Sequence, residues 1–160
     1  MLKITSTRFE ENALIPALYT CDGENKSPAL SITGVPESAK SLVLIVDDPD
    51  IPEVVKSAIG TDVFDHWIVC NIPPPLIGEV IEIPDGVTPP GVQGNNTRGV
   101  ASYMGPCPPD REHRYFFKLF ALDQMLPLTR GATRRDVEQA MQGHVLESTQ
   151  LIARYDRKKK

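Results

Sequence analysis

Apolar runs of strand length dominate the pattern along this chain. Residues 41–46 (S-L-V-L-I-V) are aliphatic at every position but the first, which predicts a central strand covered on both faces. Residues 115–122 (Y-F-F-K-L-F-A-L) hold four aromatics and one charge, Lys118, and predict a second such strand. Residues 64–72 (F-D-H-W-I-V-C-N-I) predict a third, apolar at odd and even positions alike except at Asp65, His66 and Asn71. A histidine beside a tryptophan in such a run is by default a hydrogen-bonded core residue. Residues 1–7 alternate, Leu2 and Ile4 against Lys3 and Thr5, as an edge strand does. Shorter strands are predicted at 30–33, 80–83 and 151–155.

Helical periodicity is rare. Thr133 and Asp136 have capping-box spacing, and Val137, Ala140, Met141, His144 and Val145 then share one helical face. This predicts a helix over 134–147, with His144 in packing or a subunit contact. Residues 53–59 are compatible with one or two turns stopped by Gly60. About eight strands with little strand–helix alternation argue for a mainly β fold. The expected form is a two-sheet antiparallel sandwich, one sheet larger, with peripheral helices, one of them near the C-terminus. The expected organisation is one domain over 1–156 with 157–160 as a solvated basic tail.

Composition narrows the function classes. The chain has 160 residues, 24% charged and 41% hydrophobic, which suits one globular core. No apolar run reaches the roughly 18 residues of a membrane-spanning helix. The first 20 residues lack the apolar core of a signal peptide, so a cytoplasmic location is expected. A net charge of −4 argues against non-specific nucleic-acid binding. Three cysteines without C-x-x-C spacing suggest a reducing compartment and no structural zinc. Fifteen prolines favour strands joined by stiff loops.

Candidate chemistry lies at the ends of the apolar runs. Asp48 and Asp50 follow the first, in a D-D-P-D-I-P turn whose Ile51–Pro52 bond could take either isomer. His66 lies near the start of the 64–72 run, and His113 with Tyr115 opens the 115–122 run. Just before His113 runs a rigid loop containing Tyr103, Gly105, Pro106, Cys107, Pro108 and Pro109. If the three strands are neighbours, these groups converge at one sheet end. Two protonated imidazoles and a rigid amide rim would hold a small anion. A nearby carboxylate would keep the rings charged or receive an amine. No cofactor motif is present. The alternative is a metal-dependent hydrolase, with Asp48, His66 and His113 as a two-histidine, one-carboxylate triad. Binding without chemistry is favoured, because no further acid or base is evident.

Five pieces carry a resemblance. They are D48-P-D-I-P52, F64-x-H66-W67, N71-I-P73, G94-x-N96-x-x-G99 and Y103-x-G105-P-C-P-P109-x-x-x-H113-R-Y115. In this order they resemble the phosphatidylethanolamine-binding protein family, in particular its short bacterial and archaeal branch, the Raf-kinase-inhibitor-like proteins. Y19-T-C-D-G23, S27-P28 and G143-H-V-L146 extend the likeness over roughly 3–156. The resemblance implies a large antiparallel sheet packed on a smaller one, and a pocket for phosphate-like anions and phosphoethanolamine headgroups. Asp48, His66, the 105–109 loop, His113 and Tyr115 would line it. It also implies protein partners such as kinases or proteases, and a homodimer. Met104 and Ile51 replace smaller residues common in the family, which should narrow the pocket. Asp110 and Glu112 should add negative field at its mouth.

Overall fold

The run beginning at residue 41 is the centre of the molecule. In the computed structural model, which describes residues 1–159, it is strand β3, Ser41–Asp48, buried along its whole length. The strands in chain order are β1 (Lys3–Thr5), β2 (Leu30–Thr33), β3, β4 (Phe64–Ile72), β5 (Ile81–Ile83), β6 (Val92–Gln93), β7 (His113–Leu122) and β8 (Val145–Tyr155). The α-helices are α1 (Glu53–Ile59) and α2 (Arg134–Met141). A three-stranded sheet has the order β1-β2-β5 and a five-stranded sheet the order β6-β4-β3-β7-β8. Every pairing within them is antiparallel.

Both faces of the large sheet are covered, which is why its central strands read as unbroken apolar runs. Leu42, Leu44 and Val46 face the small sheet together with Trp67, Val69, Phe117 and Leu119. Val43 and Ile45 face the other way, with Ile68, Cys70, Val137 and Met141 of α2. On that second face β7 is only half covered. Phe116 lies there beneath the cations of Arg114 and Lys118, at 5.4 and 5.7 Å from the ring.

Two irregularities shift side chains between the faces of β4. Leu42 pairs with Ile72 but Leu44 with Val69, so β4 carries one extra residue between these pairs. Asn71 takes up that residue with φ 55°, and its side chain bonds both the N–H and the C=O of Leu126. Likewise Val46 pairs with Trp67 but Asp47 with Asp65, which leaves His66 as the extra residue of a bulge. A bulge re-aims a side chain. It puts His66 on the same side as Trp67, while Asp65 faces α2.

Several expected boundaries move. The helix expected over 134–147 ends at Met141, and a turn with Gly143 at φ 82° leads into β8. His144 and Val145 fit the helical period by coincidence, and cross-strand pairing with β7 captures Val145 opposite Leu122. His144 sits at the corner, half-exposed, with Nδ1 2.8 Å from Asp123. The strand expected at 151–155 begins six residues earlier, and two-residue β6 was not anticipated. The capping box of Thr133 and Asp136 forms as expected. The tail is not free throughout: Arg157 lies 3.1 Å from Asp22, while Lys160 lies outside the described residues.

The cysteine expectation is overturned. Cys21 and Cys107 form a disulfide across 86 residues, with Cα atoms 5.5 Å apart. Their separation hid the pairing, since only the folded chain brings the two loops together. The cysteine count therefore gives no argument for a reducing compartment. Cys70 remains a free thiol, pushed up in pKa by burial and chemically quiet. Closing so long a loop should contribute about 2–5 kcal/mol. Dithiothreitol, or a Cys21→Ser/Cys107→Ser double variant, is expected to lower the thermal midpoint. A midpoint unmoved by either would contradict this. No helix among the described residues is long and apolar enough to cross a membrane.

Candidate ligand pocket

Antiparallel order fixes where the site lies. β3 ends where β4 and β7 begin, and β3 sits between them. Asp48, His66, His113 and Tyr115 therefore meet at one end of the large sheet, on the face that carries the small sheet. Loops close over them into a cavity of about 290 Å³. Its wall also includes Ile51, Pro52, Val55, Phe64, Arg98, Met104, Gly105, Cys107, Pro108 and Pro109.

Three of the residues expected at the site lie outside this wall. Asp50 points away and is held by Arg114, with two guanidinium contacts of 2.9 Å and one from the backbone N–H. That pairing holds its carboxyl below the usual range. The Tyr103 hydroxyl donates to the Tyr19 carbonyl at 2.8 Å, and its ring meets Trp67 edge-on. The Pro106 carbonyl accepts from the Cys21 N–H at 3.1 Å. These two pin the rim rather than line it. Gly105 shares that task. A side chain there would collide with Asn25 and the backbone at Tyr19, and the Gly105 N–H donates to the Asn25 side chain at 2.8 Å. The Ile51–Pro52 bond is trans, as are all the others described.

The two histidines differ in state. His66 has Nδ1 2.7 Å from the Met104 carbonyl. A carbonyl only accepts, so Nδ1 carries the proton. Burial pushes this ring below its ordinary pKa, so it is neutral and Nε2 is an acceptor. Phe64 packs at 4.9 Å and the edge of Tyr115 at 5.3 Å. His113 is held from both sides, by Asp48 Oδ2 at 2.6 Å from Nδ1 and Asp110 Oδ1 at 2.7 Å from Nε2. Burial opposes its charge, but the two carboxylates outweigh burial and raise its pKa. The expectation of two protonated imidazoles is thus corrected to one imidazolium and one neutral ring.

Two features were not foreseen from sequence. Arg98 stands at the mouth with its guanidinium 5.9 Å from the centre of the Phe64 ring. Nothing in its loop segment marks it, because an arginine between threonine and glycine is ordinary surface. The Tyr115 hydroxyl is buried with no hydrogen-bond partner among the described residues. Burial drives its pKa far above the ordinary value, so it stays protonated. Chemically the pocket offers a phenol, a cation at the rim and one imidazole acceptor, beside an imidazolium whose two N–H groups are held by Asp48 and Asp110. The metal triad does not assemble. No group of three or more metal-ligating side chains is arranged to hold an ion among the described residues, and Asp48 is spent on His113.

A two-layer antiparallel domain with a small loop-rimmed pocket at its sheet end has a binding-protein fold. Residues 5–156 match the family model described as phosphatidylethanolamine-binding protein, and the chain belongs to that family. It is 49% identical over 158 residues to a UPF0098 protein of Methanothermobacter thermautotrophicus, covering 98% of this chain and 99% of that one. A UPF0098 protein of Pyrococcus abyssi is 45% identical, with 99% and 86% covered. Among solved structures, a phosphatidylethanolamine-binding protein homologue from Chlamydia trachomatis superposes with a TM-score of 0.88 at 40% identity, covering 98% and 97%. YbcL of Escherichia coli, described as a member of the mammalian family, gives 0.81 at 28% identity, covering 97% and 98%.

Proposed function

We propose that this protein binds a small phosphate-bearing ligand, a free phosphate or a phosphoethanolamine-type headgroup, without transforming it. The observation that carries this is the buried Tyr115 hydroxyl, without a hydrogen-bond partner among the described residues, beside the His113 imidazolium in a loop-rimmed pocket. An unsatisfied buried donor calls for an acceptor from outside. A phosphate oxygen fits it, with Arg98 facing further oxygens at the rim. The neutral His66 ring favours a ligand that also presents a donor, such as a protonated phosphate oxygen or an ammonium. At about 290 Å³ the cavity lies at the small end of the usual range for ligand pockets.

The absence of chemistry is supported by the wall itself. It has no serine, threonine or lysine, its one cysteine is in the disulfide, and Asp48 is engaged by His113, while the Tyr115 phenol is held protonated by burial. In this reading, ligand occupancy adjusts the rim and so the binding of a protein partner, in the manner expected of the family for kinases or proteases.

The test is NMR of the histidine side chains during titration with phosphoethanolamine at roughly millimolar concentration. At about pH 6 the His113 resonances are expected to move. The response should fade as pH rises through the raised pKa of His113, because the anion needs the imidazolium. If neither His113 nor His66 responds at any pH, the reading is wrong.

A further inference from the structure

The His113 ring is only 1% exposed, yet its two carboxylate partners are unlike each other. Asp48 is buried at the end of β3 and fixed by accepting the Asp50 N–H at 2.7 Å. Asp110 sits in the bend that follows Pro108 and Pro109, and its side chain is 39% exposed. Nε2, the ring nitrogen that Asp110 covers, is the one left to meet a guest, since Asp48 already occupies Nδ1.

From this we infer that Asp110 is a tethered competitor: its carboxylate occupies the seat of the ligand's anion and must swing out before phosphate can bind. The inference rests on the anion-pocket reading above and adds what sets its affinity and selectivity. An anion entering with Asp110 in place would gather three negative groups around one imidazolium, which like-charge repulsion forbids. Displacing Asp110 exchanges its bonds to His113 and the Arg111 backbone N–H for water, and the entering anion replaces it on the ring. The prolines before it keep the rim in place meanwhile. Arg111 holds the bend from outside, with its guanidinium 3.1 Å from the Asp50 carbonyl, while its backbone N–H donates to Asp110 Oδ1 at 2.9 Å until the carboxylate leaves.

Competition by a tethered group acts as an effective concentration, in the millimolar range for a short flexible tether. A singly charged carboxylate such as acetate offers nothing that Asp110 does not, so it is excluded. A phosphate brings more charge and further oxygens for Tyr115 and Arg98, and it can win. Asp110 thereby selects phosphate over carboxylate ligands. The other charged or titratable groups near His113 stay put during the exchange. Asp48 comes from β3, His66 from β4, Tyr115 from β7 and Arg98 from the rim. Asp50 is neutralised by Arg114.

The experiment is calorimetric titration of inorganic phosphate, and separately of acetate, into wild type, Asp110→Ala, Asp110→Asn and Glu10→Gln at about pH 6. Asp110→Ala should bind phosphate about tenfold tighter or better and should gain acetate binding, with Asp110→Asn between it and wild type. Glu10→Gln removes a distant exposed charge and should change neither. The His113 pKa, read by NMR without phosphate, should fall in Asp110→Ala, which reports the contact independently of any ligand. Equal, measurable phosphate affinity in wild type and Asp110→Ala overturns the competitor and leaves the anion pocket standing. The same gain in Glu10→Gln reduces the effect to net charge and also overturns it. If no variant binds phosphate, pocket reading and competitor fall together.

Discussion

Asp48→Ala should lose about 3–5 kcal/mol of stability, because it removes one partner of a buried charge pair and leaves the other behind. His113 would keep only the exposed Asp110, and the turn at Asp50 would lose its acceptor. Asp48→Asn, which keeps an acceptor but no charge, should fall between wild type and alanine. The effect has a definite pH direction. The folded-state pKa of His113 lies above its unfolded value. The stability it contributes is therefore complete below about pH 6.5 and is lost as pH rises through the raised value. His66 has the opposite sign: its pKa is depressed, so its contribution is present above about 6.5 and lost on acidification. Urea denaturation of wild type and Asp48→Ala at about pH 6 and about pH 9 separates these effects. The gap between the two proteins should narrow at the higher pH. An equal gap at both pH values, or one under about 1 kcal/mol, would mean that the pair does not carry this end of the sheet.

The second large effect is expected on the opposite face. Asp47 neighbours Asp48 along β3 but faces α2, fully buried, with Lys118 at 2.9 Å and Arg134 at 2.8 Å. The same Arg134 nitrogen lies 2.7 Å from Asp65. Arg134→Met should cost about 3 kcal/mol or more, because two carboxylates lose their shared cation inside the protein. Burial already holds Asp65 above its usual carboxylate pKa, against the pull of that arginine. Adding Asp47→Val to Arg134→Met should restore part of the loss, since Asp47 would otherwise stay buried with Lys118 alone, beside an Asp65 that has lost its arginine. Lys118 is then left at the surface, where its ammonium stays hydrated. Chemical denaturation of the two single variants and the double completes the cycle. A purely additive double variant would show that Asp47 and Arg134 are not coupled.

The pocket and this network use consecutive residues of one strand, which explains why only part of the site could be read in advance. Asp48, His66, His113 and Tyr115 could be picked out because polar groups interrupt or end runs that are otherwise apolar. Their convergence requires the three runs to be neighbours, and the sheet order β4-β3-β7 makes them so. Asp50 looked equivalent to Asp48, since both flank the same proline. Only the fold distinguishes them, by giving Asp50 to Arg114. Arg98 had no such mark. Nor did the role of Asp110: its charge near the mouth was legible, but its seat on His113 was not.

Taken alone, the order of residues determined the fold class and the three central strands. Burial on both faces demands unbroken apolar runs, and antiparallel neighbours need no crossover helix. It also determined the start of α2, because a capping box is a local contact. Everything that depends on distant groups meeting was decided by the tertiary structure. That includes the Cys21–Cys107 bond, the bulge that turns His66 toward the pocket, and the capture of Val145 by β7. It also includes the different charge states of two histidines that look alike in sequence. Burial and the placement of carboxylates set those states, and both are properties of the assembled site rather than of neighbouring residues in the chain.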